Sequence, residues 1–171
     1  MGQSRVRFAL LATLTCAAPA AAQTPPLPAG WERPKDADLI GNWEFRRDKP
    51  HRYARAEGDF NGDGKQDRAE LLIDRKAGTY ALFAFLGGAK TPVELEHQAL
   101  SGLGSVGIST EPPGRKLTIC GKGYYSADPQ CKKGIPFIDV RFSSIGYFAF
   151  ESATSEFYWT GSKFERFWTS D

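Results

Sequence analysis

The chain has 171 residues, of which 41% are hydrophobic, 13% aromatic and 25% charged, and this length predicts one globular domain. Its 12 Phe, 6 Tyr and 4 Trp residues can fill a core, which excludes a disordered chain. A polytopic membrane protein is excluded as well, because the longest apolar run outside the N-terminus, residues 81–86, is far shorter than a membrane span.

The first residues have the pattern of a secretory signal peptide. Arg5 and Arg7 form a basic start, residues 8–14 form a short apolar stretch, and residues 20–22 are three alanines, which a signal peptidase accepts. We therefore expect cleavage after Ala22, so that residues 1–22 are removed and the mature protein is periplasmic or secreted. Lipidation at Cys16 is an alternative, but residues 13–15 fit a lipidation motif poorly.

Charge and cysteine content change once this segment is removed. The whole chain carries 22 Lys and Arg against 20 Asp and Glu, and the signal peptide holds two of the arginines and no acidic residue. The mature protein is then formally neutral, which removes the main support for a nucleic-acid or anionic-membrane partner. Cys120 and Cys131 remain, and an even number of cysteines in an oxidising compartment predicts a disulfide between them.

A proline-rich segment at residues 23–35, called the lead-in below, precedes the expected β-rich domain at residues 36–171. We expect the lead-in to be extended. A short helix is predicted over residues 36–47, because Asp36 can cap it and Leu39, Ile40 and Trp43 recur at helical spacing. Pro50 marks the limit of this helix.

From Tyr53 onward the pattern is typical of β-strands. Apolar and other residues alternate over residues 69–73, a turn follows at residues 74–78, and residues 79–86 are apolar on both faces, which predicts an antiparallel hairpin. Gly161 supplies the positive φ for a terminal hairpin of residues 156–160 and 163–169. Further strands are expected at residues 93–100, 106–110, 116–120, 137–142 and 147–151.

Short strands at this spacing decide the expected fold class. They predict an all-β protein with mostly antiparallel sheet, arranged as a sandwich or a barrel-like sheet, with a short N-terminal helix.

The strongest local motif is Asp59-Phe60-Asn61-Gly62-Asp63-Gly64-Lys65-Gln66-Asp67, called the acidic loop below. Oxygen-bearing side chains recur at alternate positions, and the two glycines allow the backbone to curl so that these oxygens converge. Calcium prefers about six to eight oxygen ligands in a flexible shell. The motif therefore predicts a Ca²⁺ site. Its expected ligands are the side chains of Asp59, Asn61, Asp63 and Asp67 and the carbonyl of Lys65.

Glu70 extends the motif to the spacing of an EF-hand, in which a glutamate at this position binds calcium through both oxygens. Glu70 is therefore a further candidate ligand. An EF-hand needs a helix on each side, but Gly58 directly precedes the loop and residues 69–73 alternate like a strand. We favour a loop that leads into a strand and keep the helical EF-hand as an alternative.

The residues from Gly58 to Asp67, followed by Ala69 and Leu71, resemble the DFNGDGxxD calcium loop of FG-GAP/VCBS-type repeats. These repeats are β units of secreted and surface bacterial proteins, and the resemblance implies calcium binding through the alternate acidic positions. The motif occurs once in the chain, so a propeller built from its repeats is excluded. The wider layout, with its cysteine pair and its final hairpin, is similar to small exported bacterial proteins that carry one such repeat, and it implies no particular activity.

Three other features are weaker candidates for a site. The G-x-G-x-x-G pattern at residues 102–107 needs a helix after it to bind a dinucleotide, and the prolines at 112 and 113 favour a loop or a bulged strand instead. His51 and His97 lie in no metal-binding or catalytic pattern. The aromatic residues between Tyr147 and Trp168 could form a sugar or peptide platform, although half of each strand must face the core.

Together these patterns favour an exported calcium-binding β module that acts as a binding or structural envelope protein for an unknown protein or glycan partner. We expect a monomer with no enzymatic activity, no nucleic-acid partner and no transmembrane segment. Three alternatives stay open at this point: a periplasmic inhibitor or immunity-type protein, an EF-hand-type calcium protein, and an enzyme of an unrecognised type.

Overall fold

The structure, a computed structural model, describes residues 25–41, 44–123, 131 and 134–170. The expected signal peptide and its cleavage position after Ala22 lie outside these residues. Within them, no helix combines the length and the apolar composition needed to cross a membrane.

In the part of the chain that the structure describes, ten strands form two four-stranded sheets and one two-stranded ribbon, and every pairing between them is antiparallel. Sheet 1 has the order β1-β2-β3-β4, sheet 2 has the order β10-β9-β8-β5, and the ribbon is β6-β7. The strands are β1 Arg55–Gly58, β2 Asp67–Asp74, β3 Thr79–Phe85, β4 Val93–Ala99, β5 Val106–Glu111, β6 Gly114–Leu117, β7 Phe137–Val140, β8 Ser144–Ala149, β9 Thr154–Trp159 and β10 Phe164–Ser170.

The hydrophobic core lies between the two sheets, because alternate residues of each sheet face inward. Leu71 and Leu82 from sheet 1 belong to the same buried cluster as Ile108, Ile145 and Phe157 from sheet 2, and each of them is at most 5% exposed. This arrangement confirms the predicted all-β fold as a sandwich of antiparallel sheets.

The two predicted hairpins are confirmed. β2 and β3 pair from Asp74 opposite Thr79 to Arg68 opposite Phe85, and β9 and β10 pair from Trp159 opposite Phe164. Gly161 in the terminal turn has a φ of 105°, which a residue with a side chain rarely adopts.

One strand was missed, and the bounds of two predicted strands need correction. β1 was not predicted, because it has only four residues and ends in a glycine. The strand predicted at residues 116–120 is wrong in its second half, since β6 ends at Leu117 and a 3₁₀ helix, Ile119–Lys122, carries Cys120. β8 begins at Ser144, three residues before the predicted start at residue 147, because the small residues Ser144 and Gly146 continue the sheet without adding apolar character.

The predicted disulfide is confirmed. Cys120 and Cys131 are bonded, and their Cα atoms lie 5.1 Å apart. The bond joins two points of the connection between β6 and β7, one of them in the 3₁₀ helix Ile119–Lys122.

The predicted helix over residues 36–47 is too long. The helix α1, Asp36–Leu39, has Lys35 rather than Asp36 at its N-cap, and Ile40 already leaves the helical conformation. Gly41 follows at a close approach to Gly104, since a Cβ added there would lie 3.0 Å from the Gly104 carbonyl oxygen. The remaining helical turns are 3₁₀ helices: Glu44–Arg46, Pro50–Tyr53 and Leu100–Ser105.

One fully buried side chain, Arg46, ties these turns to sheet 2. Its guanidinium donates to the carbonyl of Val106 at 2.6 Å and to those of Leu39, Tyr53 and Leu103 at 3.4 Å. Burial lowers the pKa of Arg46 to about 10, so the side chain remains charged at neutral pH. Backbone carbonyls therefore stabilise the buried charge of Arg46, as a carboxylate does in an ordinary buried ion pair.

The lead-in packs against the outer face of sheet 1. Leu27 and Trp31 contact a second apolar cluster on that face, where the Trp31 ring meets the Phe83 ring edge-on with centroids 5.0 Å apart. Glu32 and Ile73 exchange two backbone hydrogen bonds, which extends the edge of sheet 1 beyond β1. The lead-in therefore covers apolar surface that the sheet would otherwise expose.

Candidate functional site

The acidic loop connects β1 to β2 at the edge of sheet 1, and its base is the pair of Gly58 with Asp67. Strands flank the loop on both sides. An EF-hand requires helices at both positions, so the EF-hand alternative is wrong for this segment. The prediction of a loop that leads directly into a strand is confirmed.

Asp59 and the two glycines give the loop its curl. One carboxylate oxygen of Asp59 accepts a hydrogen bond from the Gly62 amide at 2.7 Å, and the other accepts from the Gly64 amide at 2.9 Å. Gly62 and Gly64 have φ values of 76° and 78°. A Cβ at Gly62 would also lie 2.1 Å from the Phe142 ring, so both conformation and packing require glycine there.

Asn61 and Asp63 continue the curl through the same kind of contact. The Asn61 side-chain oxygen accepts from the Asp63 amide at 3.0 Å, and Asp63 accepts from the Lys65 amide at 2.9 Å. The Lys65 ammonium lies 3.1 Å from the second oxygen of Asp63. Partial burial raises the pKa of Asp63, but the hydrogen bonds from Lys65 outweigh it and hold this pKa below its usual value.

Asp67 forms the buried base of the loop and is 1% exposed. Its two oxygens accept from the Phe60 amide at 2.8 Å and from the Gly87 amide at 2.7 Å, which joins the loop to the turn after β3. Burial raises the pKa of Asp67, and the hydrogen bonds from the two amides offset only part of this effect.

Glu70 does not join the loop. It lies three residues after Asp67 on β2, so the two side chains point to opposite faces of sheet 1. The Glu70 carboxylate lies on the outer face, 3.0 Å from Arg33 Nε and 2.6 Å from Arg68 Nε. Its oxygens are therefore engaged by cations and are directed away from the predicted calcium ligands.

The donor set decides which metal the loop suits. Asp59, Asn61 and Asp63 are at least partly exposed, whereas Asp67 is buried. Among the described residues, no three His, Cys, Asp or Glu side chains are grouped so that they could hold a metal ion. An ion here would need amide and carbonyl oxygens beside its carboxylates, and such ligands suit Ca²⁺ and not a thiolate- or imidazole-binding transition metal.

The weaker sequence candidates do not form a site with the acidic loop. His51 lies 2.6 Å from Asp36, and His97 lies 3.0 Å from Glu94 beside the Trp31 ring. The glycine-rich pattern falls on the 3₁₀ helix Leu100–Ser105 and the start of β5, with no helix after it.

The aromatic residues of the last strands divide between core and surface. Tyr147 and Phe157 are buried between the sheets, and Trp168 is 41% exposed. Tyr147 also shares a hydrogen bond of 2.7 Å with Tyr80 of the opposite sheet, so its hydroxyl is used inside the fold.

Sequence reasoning missed a group of arginines around Glu70. Arg33 and Arg68 contact Glu70 directly, and Arg55 lies 3.9 Å from it; the three arginines are called the arginine cluster below. Arg68 and Glu70 share the outer face of β2, which the alternation of residues 68–73 could have shown. Arg55 could not be placed because β1 was not predicted, and Arg33 comes from the lead-in.

Comparison of the chain with protein-family models, with curated proteins and with solved structures finds no match.

Proposed function

We propose that this protein is an exported calcium-binding β module of FG-GAP/VCBS-like type, with its ion at the acidic loop. One observation carries the proposal: successive oxygen-bearing side chains of the loop turn back onto its own backbone amides. Asp59 accepts from Gly62 and Gly64, Asn61 from Asp63, and Asp63 from Lys65. Each of these oxygens has a second lone pair, with which it can coordinate a hard cation while it keeps its hydrogen bond to the loop backbone.

The proposed ligands are the side chains of Asp59, Asn61 and Asp63 and the carbonyl of Lys65. Asp67 was a predicted ligand too, and its two backbone hydrogen bonds favour an outer role, through a bridging water or through its charge. Glu70 is left out of the proposed set because its side chain lies on the opposite face of sheet 1. Water completes the shell that calcium needs.

Electrostatics supports a cation at this position. The loop brings three carboxylates within nine residues, and Lys65 is its single basic residue. The Lys65 ammonium at Asp63 offsets part of the negative charge and would compete with a bound ion. A divalent ion would remove the remaining repulsion, so calcium would stabilise the folded protein.

The cellular role that we propose is binding or structural support in the cell envelope, not catalysis. The disulfide between Cys120 and Cys131 supports an oxidising compartment, which agrees with the expected export signal. Calcium at about 10⁻⁴–10⁻³ M is the range in which extracellular modules bind it. The ion would serve as a structural cofactor of the mature protein.

Thermal unfolding with and without calcium tests the proposal. At a hundredfold excess over the dissociation constant the ion should stabilise the mature protein by about 2.7 kcal/mol, which corresponds to about 5–10 °C in Tm. Magnesium should stabilise it less, because a small octahedral ion fits this donor set poorly. Equal Tm values in EDTA and in millimolar calcium would overturn the proposal.

Two variants and a control locate the ion. Asp63→Asn should remove most of the calcium-dependent rise in Tm, whereas Asp48→Asn, at an exposed aspartate outside the loop, should keep it. Lys65→Gln keeps the backbone carbonyl and removes the competing ammonium, so it should tighten calcium binding. A Lys65→Gln variant that binds calcium more weakly than the wild type would contradict the proposed ligand geometry.

A further inference from the structure

A cavity of about 220 Å³ opens beside Glu70, at the edge of sheet 1 where β1 begins. The lead-in contributes Arg33 and Pro34 to its wall, β1 contributes Arg55, and β2 contributes Glu70 and Leu71. The wall thus combines charged side chains with apolar residues. This combination is typical of a small-molecule site, in which a few charged groups orient the ligand and apolar contacts hold its body.

The charged groups in the cavity wall and next to it have an excess of positive charge. Arg33 and Arg68 contact Glu70, while Arg55 pairs with Glu57 and lies 3.9 Å from Glu70. Three guanidiniums therefore share two carboxylates. His51 also lines the cavity, but it is paired with Asp36 and does not change this balance.

The excess charge acts on Arg68, the most buried member of the arginine cluster. Burial lowers the pKa of Arg68, Glu70 opposes this, and Arg55 and Arg33 lower it further. The cations thus repel one another even with Glu70 between them. A monoanion bound beside them would remove this repulsion.

The guanidiniums that line the cavity have donors to spare. The Arg33 and Arg55 side chains are 56% and 53% exposed, whereas the side chain of Glu70 is buried. Each guanidinium carries five N–H donors in a planar fork that matches the geometry of a carboxylate, and Arg33 uses two of its donors on Glu70. A ligand anion can therefore bind without displacing Glu70.

We propose that this cavity binds a small organic carboxylate, with its anionic group on Arg33 and Arg55 and its apolar body against Pro34. The site is separate from the acidic loop and does not depend on calcium, because no residue of the cavity wall belongs to the loop. Inorganic anions offer the same charge but no apolar body, so they should bind more weakly than a carboxylate of matching size.

Calorimetric titration of the mature full-length protein with sodium benzoate, in EDTA and at low ionic strength, tests the proposal. Benzamide is the neutral isostere, and inorganic phosphate tests whether the anion alone is sufficient. We expect benzoate to bind at least about tenfold more tightly than either of these, since a charge-assisted bidentate contact and an apolar contact both contribute. Equal binding of benzoate and benzamide, or of benzoate and phosphate, would overturn the proposal.

Variants place the ligand in the cavity. Arg55→Gln removes an exposed guanidinium from an edge strand and should weaken benzoate binding about tenfold or more. Arg52→Gln is the matched control, because Arg52 is an exposed arginine that stacks on Tyr53 and lies outside the cavity wall. It should bind benzoate as the wild type does. Unchanged binding in Arg55→Gln, or an equal loss in both variants, would overturn the proposal, and neither result would bear on calcium binding, because EDTA is present throughout.

Discussion

Two buried carboxylates on the same strand are stabilised in opposite ways. Asp67 and Glu70 of β2 are 1% and 2% exposed. Asp67 faces the acidic loop and is held by backbone amides, whereas Glu70 faces outward and is held by arginines. A buried carboxylate needs compensation for lost hydration, and amide dipoles and full cations both supply it.

The difference lies in the charge that each arrangement leaves over. Around Asp67 the hydrogen bonds are satisfied but the negative charge is not cancelled, which is why burial raises its pKa. Around Glu70 the negative charge is more than cancelled, and positive charge remains on the arginine cluster. One strand thus separates a region that favours a cation from a region that favours an anion, and this contrast underlies both proposals.

The largest expected effect is on the Asp67 side. Asp67→Ala leaves the buried amides of Phe60 and Gly87 without an acceptor, and we expect a loss of about 3 kcal/mol in the free energy of unfolding. Asp63→Ala, in the exposed part of the loop, should cost much less. Urea denaturation in EDTA measures both. A similar loss in the two variants would mean that the amides are not the main partners of Asp67.

Removing the other carboxylate should cost less. Glu70→Gln keeps one acceptor but leaves Arg68, whose side chain is 14% exposed, without its charged partner, and we expect a loss of about 1–2 kcal/mol. Arg33 and Arg55 can turn to water, which limits the effect. The same denaturation experiment applies, and a loss greater than that of Asp67→Ala would reverse the comparison.

The pH dependence of stability should follow the raised pKa of Asp67. In the pH range just above the usual carboxyl value, the folded protein retains a proton that the unfolded chain has released. The stability of the wild type relative to Asp67→Asn should therefore fall as the pH rises through this range, by about 1.4 kcal/mol for each unit by which the pKa is raised. Asp63, whose pKa is lowered, acts in the opposite sense: its contribution is lost as the pH falls.

Urea titrations of wild type and Asp67→Asn in EDTA, at a series of pH values from about 4 to 7, measure this difference. Asp67→Asn serves as the reference because it cannot ionise at position 67. A stability difference that is constant with pH, or that grows in favour of the wild type, would contradict the prediction.

Local patterns in the sequence were sufficient for the hairpins, the disulfide and the acidic loop. The alternation of residues 69–73 and the turn at Gly78 are contained in a few neighbouring residues, so the β2-β3 hairpin could be predicted. The roles of Asp67 and Glu70 depend instead on partners that are distant in sequence, such as Gly87 and Arg33. No local pattern shows that a lead-in arginine reaches β2, which is why the arginine cluster was not predicted.

The end of the predicted helix was wrong for the same reason. The pattern of Leu39, Ile40 and Trp43 allows a longer helix, but the chain leaves the helical conformation at Ile40, beside the close approach of Gly41 to Gly104. Arg46 then turns into the fold to bind backbone carbonyls from β5 and the 3₁₀ helices. A buried arginine without a carboxylate partner has no pattern in the sequence, since its acceptors are main-chain atoms.

The smallest expected effect concerns the pair between the lead-in and Glu70. Arg33→Gln removes a cation that is more than half exposed, so its loss should cost only about 0.5 kcal/mol. Glu70 keeps Arg68, and the backbone bonds between Glu32 and Ile73 still hold the lead-in on sheet 1.

The double variant Arg33→Gln/Glu70→Gln isolates the pair. The change that it causes in the free energy of unfolding, minus the sum of the changes in the two single variants, is the coupling energy between Arg33 and Glu70. We expect a coupling of about 0.5 kcal/mol that shrinks in high salt. A coupling above about 2 kcal/mol would show that Arg33 is a main partner of the buried Glu70 carboxylate. Less positive charge would then remain for an anion at the cavity, and the contrast between Glu70 and Asp67 would be weaker.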